Sequence, residues 1–207
     1  VSGYYSDRTP FAQLDWLFGS WGARPNKDGI DHHASLCSNF SNTPVEVIEV
    51  ESPLMVEEYA LVPDTGGAGR FRGGLAATRR WRLVGADEAR LHVRADRMKF
   101  LPYGLRGGGS GLPARNILCA ENAIREMPSK FQTTLRRGDW IQHQTAGAGG
   151  WGNPLDRDPA RVLADVRDGK ISVGHAEREY GVAIRPEALE IDRERTEALR
   201  VARRRSG

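Results

Sequence analysis

Residues 63–74 read PDTGGAGRFRGG, with five glycines and two arginines, Arg70 and Arg72, in twelve positions. Inside a helix or strand each glycine costs about 0.5–1 kcal/mol relative to alanine, so this density excludes either element. Two physical reasons remain: turns that need φ > 0, or a backbone that another segment or a ligand must approach closely. Two arginines in such a loop can grip a carboxylate or phosphate bidentately. Solvated arginines in a plain turn between two strands are the simpler alternative. Two more glycine clusters follow, GLRGGGSG at 104–111 and AGAGGWGNP at 146–154, and each ends a strand-like run.

The flanks of these loops are β-like. Upstream, VEVIEVESP at 45–53 alternates valines and Ile48 with three glutamates and predicts a strand with one acidic face. Residues 53–62 continue as a strand or a short extended segment up to the glycine loop. Downstream, LAATRRWRLVG at 75–85 and ARLHVRADRMKF at 89–100 predict strands, with Gly85 to Glu88 as a hairpin turn. Further short strands are predicted at Ala114–Cys119, Ile124–Glu126, Phe131–Leu135 and Trp140–Gln144. Their spacing suits a barrel- or sandwich-like, mostly antiparallel arrangement. Near the start, Ala12–Phe18 predicts a short helical turn with Leu14, Leu17 and Phe18 on one face.

The end has another texture. Asp158 followed by Pro159 is an N-cap with proline at the first helical position, and Gly169 stands where the helix should stop. That helix would bury Val162, Leu163 and Val166. A second helix runs from Ser172 to Gly181, and a third opens at Pro186. The expected class is therefore α+β, with a β-rich region over 1–154 and a helical extension over 155–207.

Composition narrows the function classes. The chain has 207 residues, 39% hydrophobic and 28% charged, a net charge of +3 and a pI near 9.1. No run of 18 apolar residues offers a membrane span. The basic excess gathers at Arg200, Arg203, Arg204 and Arg205, where it complements the end of a helix dipole. No zinc-finger spacing or RNA-binding aromatic motif accompanies it, so no nucleic-acid partner is expected. Cys37 and Cys119 stand far apart without CxxC spacing, which suggests a reducing cytoplasm. No GK[ST] follows the last glycine cluster, so ATP is not expected on this chain.

Three groups of residues could carry chemistry. Asp28, Asp31, His32, His33 and Cys37 are metal-ligand types in one polar stretch, although adjacent histidines on an extended backbone point to opposite sides. Asp96 lies between Arg94 and Arg97 and reads first as an ion-paired carboxylate, second as a group that orients a partner. The glycine loops offer backbone N–H groups for an anion nest, with Arg70 or Arg72 beside it.

Taken in order, several stretches resemble one family: GARPNKDGID at 22–31, SNFSNTPVEVIE at 38–49, PDTGGAGRFRGG, ADRMKFLPYGLRGGGSG at 95–111, MPSK, LRRGD, and GAGGWGNPLDRDPARVLADVRDGKIS at 147–172. Together they are similar to the hydantoinase B/oxoprolinase family. The resemblance covers almost the whole chain, from about Gly19 to Val182. It implies part of an ATP-dependent enzyme that opens a hydantoin, 5-oxoproline or related lactam ring. ATP would sit on a hydantoinase A-type partner, and a divalent metal (Zn, Mn or Mg) mainly on an upstream half of the B-type subunit. The candidates it leaves on this chain are Asp28, His33 and Asp96 for catalysis, and Arg70, Arg72, Asn39 and Asn42 for substrate binding. His32 and His33 are the metal candidates. A subunit of an acetone- or acetophenone-carboxylase type, and a non-catalytic assembly domain, are the two alternatives.

Overall fold

The computed structural model describes residues 1–35, 37–38 and 40–206, so Asn39 lies outside the described residues. Nine of its strands form two antiparallel sheets packed face to face, a sandwich-like arrangement that does not close into a barrel. The smaller sheet joins β1 (Ser2–Tyr4), β2 (Pro10–Ala12), β5 (Glu88–Arg94) and β8 (Lys130–Arg136) in the order β2-β1-β5-β8. The larger joins β3 (Leu54–Val62), β4 (Ala76–Leu83), β6 (Arg115–Ala120), β7 (Ala123–Met127) and β9 (Trp140–Gln144) in the order β3-β4-β9-β6-β7. Leu54, Leu83, Leu118 and Ile141 from the larger sheet meet Leu91, Leu135 and Phe11 from the smaller one. Each such side chain, fully buried, contributes about 1.5–3 kcal/mol.

Three local expectations are corrected. Residues 84–87 do not form a hairpin, because β4 pairs with β3 and β9 while β5 pairs with β1 and β8. The chain crosses there from one sheet to the other, held by Val84 and Gly85 amides donating to Pro53 O. Val45–Glu51 is a helix, α1, rather than a strand. Its valines lower helix propensity by only fractions of a kcal/mol each, which complete burial of Ile48 outweighs. Residues 12–18 are not helical: Pro10–Ala12 pairs with β1, and residues 13–18 belong to no helix or strand.

The glycine loops hold the sheets' far end, and close approach is the reason for them. Among the described residues, none of the five glycines between 63 and 74 has a positive φ. A Cβ on Gly73 would collide with Ala148 O, and one on Gly147 with Thr65 O. The amides of Gly67 and Gly109 donate to Ala148 O (2.8 Å) and Ala68 O (2.7 Å), and those of Ala148 and Gly150 to Gly74 O and Gly109 O (both 2.9 Å). These N–H groups are spent on neighbouring carbonyls, so they do not form the expected anion nest.

The helical end follows its capping signals. Asp158 accepts from Ala160 N ahead of α2 (Pro159–Arg167), and Ser172 accepts from His175 N ahead of α3 (Val173–Tyr180). Gly169 (φ +69°) and Gly181 (φ +61°) supply the left-handed stops. The third helix begins later than Pro186: a small hairpin of β10 (Ile184–Arg185) and β11 (Glu190–Ile191) precedes α4 (Arg193–Ser206). Val162, Ile171, Ala176, Tyr180 and Val182 form a second apolar cluster here, which also takes in Ala68 of the glycine loop. Among the described residues no helix is long and apolar enough to cross a membrane.

Candidate functional site

Buried charge gathers in two places. The first is the junction between the glycine loops and the helical end. Arg157, 1% exposed, grips Asp28 with two nitrogens (2.7 and 2.9 Å) and Asp165 with one of them (2.6 Å). Arg72, 2% exposed, donates to Asp31 (3.0 Å) and to Gly73 O (2.6 Å). Asp28 further accepts from Arg72 N (2.7 Å) and Arg161 (2.8 Å). Burial alone would raise the Asp28 pKa. The hydrogen bond and charge of Arg157, with Arg72 N and Arg161, outweigh it and hold the carboxyl below the usual carboxylate range.

The second lies on the inner face of the larger sheet. Strand register lines up Tyr59, Arg79, His143 and Asn116 across β3, β4, β9 and β6. Arg79 is fully buried and donates to Asp15 Oδ2 (2.7 Å) and Asn42 Oδ1 (2.8 Å), with the Tyr59 ring 3.9 Å from its guanidinium carbon. Trp81 Nε1 also donates to Asp15 Oδ2 (3.1 Å). His143 Nδ1 donates to Asn116 Oδ1 (2.6 Å), because the Asn116 amide nitrogen is committed to Pro128 O (2.9 Å). Burial pulls the His143 pKa down to about 4, so the ring is neutral at neutral pH and Nε2 carries a lone pair. Beside it a half-open cavity of ≈ 190 Å³ separates the sheets, lined by Asp15, Trp16, Trp81, Leu91, Arg94 and His143 among others.

Comparison with known proteins places this architecture. The sequence model of the Hydantoinase B/oxoprolinase family matches residues 1–154. The chain belongs to that family. It is 37% identical over 198 residues to the B-type subunit of a putative D-/L-hydantoinase from Pseudomonas sp. (strain NS671), covering 94% of this chain and 33% of that one. The solved ATP-dependent caprolactamase from Pseudomonas jessenii is 29% identical with a TM-score of 0.80, over 89% of this chain and 33% of the other. Acetone carboxylase in its nucleotide-free structure shares the fold at a TM-score of 0.86 and 19% identity, over 99% of this chain and 32% of that one. The chain thus spans about a third of the length of these hydantoinase B/oxoprolinase relatives.

Within this family member the sequence candidates scatter. Asp28 and Arg72 meet at the buried junction, and Asn42 holds Arg79. Arg70 is exposed, its guanidinium 5.6 Å from the centre of the Phe71 ring. Asp96 is exposed and, among the described residues, pairs with neither Arg94 nor Arg97, which corrects the ion-pair expectation. His33 is exposed, donates from Nδ1 to Ala34 O (2.9 Å) and meets Trp21 edge-on. His32 uses both ring nitrogens: Nδ1 donates to Phe18 O (2.8 Å) and Nε2 accepts from Tyr59 OH (2.6 Å). Burial leads in lowering its pKa, so it stays neutral. Among the described residues no three His, Cys, Asp or Glu side chains converge to hold a metal.

Sequence reasoning overlooked Asp15, Arg79, Asn116 and His143. A signal was present for the last three. With period two, Arg79 falls in phase with Ala77 and Leu83, His143 with Ile141, and Asn116 with Leu118. Polar residues on the apolar phase of a strand mark a place where the core changes character.

Proposed function

We propose that this chain is the C-terminal part of a B-type subunit in an ATP-dependent cyclic amidohydrolase, which opens a hydantoin, 5-oxoproline or related lactam ring together with an ATP-binding A-type subunit. The observation that carries this reading is the 37% identity to the B-type chain of a putative hydantoinase along 94% of the sequence. The ketone-carboxylase alternative has a likeness of fold at 19% identity behind it and takes second place.

ATP would supply the phosphoryl group that activates the ring oxygen; in the glycine loops of this chain the amides of Gly67, Gly73, Gly74, Gly109 and Gly150 donate to carbonyls, which takes them out of any phosphate cradle. A metal does not fit either, since His32 has no free nitrogen and, among the described residues, no ligand set surrounds His33. Asp28 receives four hydrogen bonds, from Arg72 N, two Arg157 nitrogens and Arg161, and with Arg72 it acts as architecture that clamps the helical end to the glycine loops. His33, Arg70 and Asp96, exposed here, meet the remainder of the subunit, the A-type partner or the substrate. Cys37 and Cys119 are free thiols, in keeping with a cytoplasmic setting.

The test is phosphate release by the assembled enzyme on a panel of hydantoin, 5-oxoproline and larger lactams, then ketones with and without bicarbonate. Release that needs a cyclic amide and no bicarbonate is expected. Release only with ketone and bicarbonate would replace this reading with the carboxylase one.

A further inference from the structure

Beyond β5, residues 97–114 fold back on themselves into a finger. Its two arms are tied together where Ala114 N donates to Arg97 O (3.1 Å), Gly111 N to Pro102 O (2.9 Å) and Gly108 N to Leu105 O (3.0 Å). Arg106 (φ +54°) and Gly107 (φ +88°) make the turn at the tip. The finger is also fastened to the glycine loops: Gly109 N donates to Ala68 O (2.7 Å), Leu112 N to Thr65 O (2.9 Å) and Leu105 N to Gly150 O (2.9 Å). Its backbone is thus fixed, yet apolar side chains stand out from it. Phe100 and Tyr103 are 73% and 70% exposed, and Leu101, Leu105 and Leu112 are exposed with them. Single exposed apolar residues are ordinary, but a group of them held out on a fixed backbone marks an interaction site. The charges around them are one-sided. Arg94, Arg97, Lys99 and Arg106 are exposed and, among the described residues, make no ion pair. Asp96 is the sole acid in residues 94–114.

We propose that this finger docks an acidic face with an apolar centre on the upstream part of the B-type subunit, with Phe100 and Tyr103 as the anchors. Aromatic side chains at the middle of a contact and charges at its rim are how protein interfaces divide affinity from specificity. The unpaired cations ask for carboxylates opposite them, and the fixed backbone spares the entropy of ordering the finger on docking. A second copy of the finger fits badly, because an isologous contact would set its cations against each other. Nucleic acid would leave Leu101, Leu105 and Leu112 without a role on a phosphate backbone. B-type relatives carry the matching stretch in chains about three times as long, so there a permanent protein neighbour lies on the same polypeptide. Apolar surface of this kind suits a permanent contact better than a transient one. The inference rests on the reading of this chain as the C-terminal part of a B-type subunit, but it concerns assembly and is independent of the substrate.

The experiment replaces Tyr103 by the photo-cross-linking residue p-benzoylphenylalanine in the assembled enzyme and identifies the linked peptides by mass spectrometry. The link should fall on the upstream part of the B-type subunit, in a segment where Asp and Glu outnumber Lys and Arg. Arg94→Glu combined with Lys99→Glu should lower its yield roughly tenfold by setting like charges across the contact. The same pair of changes should leave the urea midpoint of the 207-residue chain unaltered, since both side chains are exposed and unpaired. A link to the A-type subunit, to a second copy of the finger, to lipid or to nucleic acid, or no link at all, would each overturn the proposal. An undiminished yield after the charge reversal would do the same. Cyclic-amide-dependent phosphate release without the upstream link would sink this inference alone. The upstream link in an enzyme that releases phosphate only with ketone and bicarbonate would keep the docking surface and sink the ring-opening reading.

Discussion

Both of the molecule's buried arginine centres sit beside the same sheets, yet they are built to opposite specifications. At the junction, Arg72, Arg157 and Arg161 face Asp28, Asp31 and Asp165, and both oxygens of Asp28 and of Asp165 meet a guanidinium within 4 Å. At the inner sheet face, Arg79 has one carboxylate, one amide oxygen and aromatic faces, and the carboxylate keeps a buried unpaired oxygen beside a cavity. At the junction the buried atoms without a hydrogen-bond partner include the donors Arg72 Nε and Arg157 Nε, while the carboxylate oxygens of Asp28 and Asp165 each meet a guanidinium; at the sheet face a carboxylate oxygen is left over.

That contrast makes predictions that can be ranked. Arg157→Leu should cost most, about 3–5 kcal/mol in urea unfolding, because it strands Asp28 and Asp165 in the interior. A loss under about 1 kcal/mol would mean the junction is not what holds the helical end. Arg79→Met should cost less, about 1.5–3 kcal/mol: it removes hydrogen bonds to a charged group, while its aromatic neighbours can pack against the thioether. Equal costs for the two would erase the distinction between the two centres.

His143 sharpens the comparison through pH. Its folded pKa of about 4 lies below the ordinary 6.5, so only the unfolded chain takes up the proton between those values. Stability is therefore full above pH 6.5 and falls as pH drops toward 4, by roughly 3 kcal/mol from this one group. His32 and His175, also lowered chiefly by burial, add to the same slope. His143→Gln should flatten its share in unfolding curves measured across that window; an unchanged slope would show that the ring is not held neutral. As a small control, Arg115→Ala at the exposed Arg115–Glu126 pair should change stability by less than about 0.5 kcal/mol.

The signals read correctly along the chain were short-range ones. Asp158, Pro159 and Gly169 marked α2 because a cap acts on amides two residues away. The valines at 45–50 misled because their β preference is worth less than burial of Ile48, which depends on neighbours the local pattern does not name. Of the candidate site residues, Asp28 and Arg72 were legible as charged groups in glycine-rich surroundings, but the pairing of Asp28 with Arg157, 129 positions away, was not.

By itself, then, the sequence determined the glycine loops, the β-rich body, the caps of the helical end and the family resemblance, all of which follow from residue type and spacing within a few positions. Tertiary structure alone decided that β4 and β5 part into different sheets, that the glycines serve close packing of backbones, and that Asp15, Arg79, Asn116 and His143 share one polar face. Asp15 and Arg79 are 64 residues apart, and what joins them is strand pairing and burial, which no local window contains.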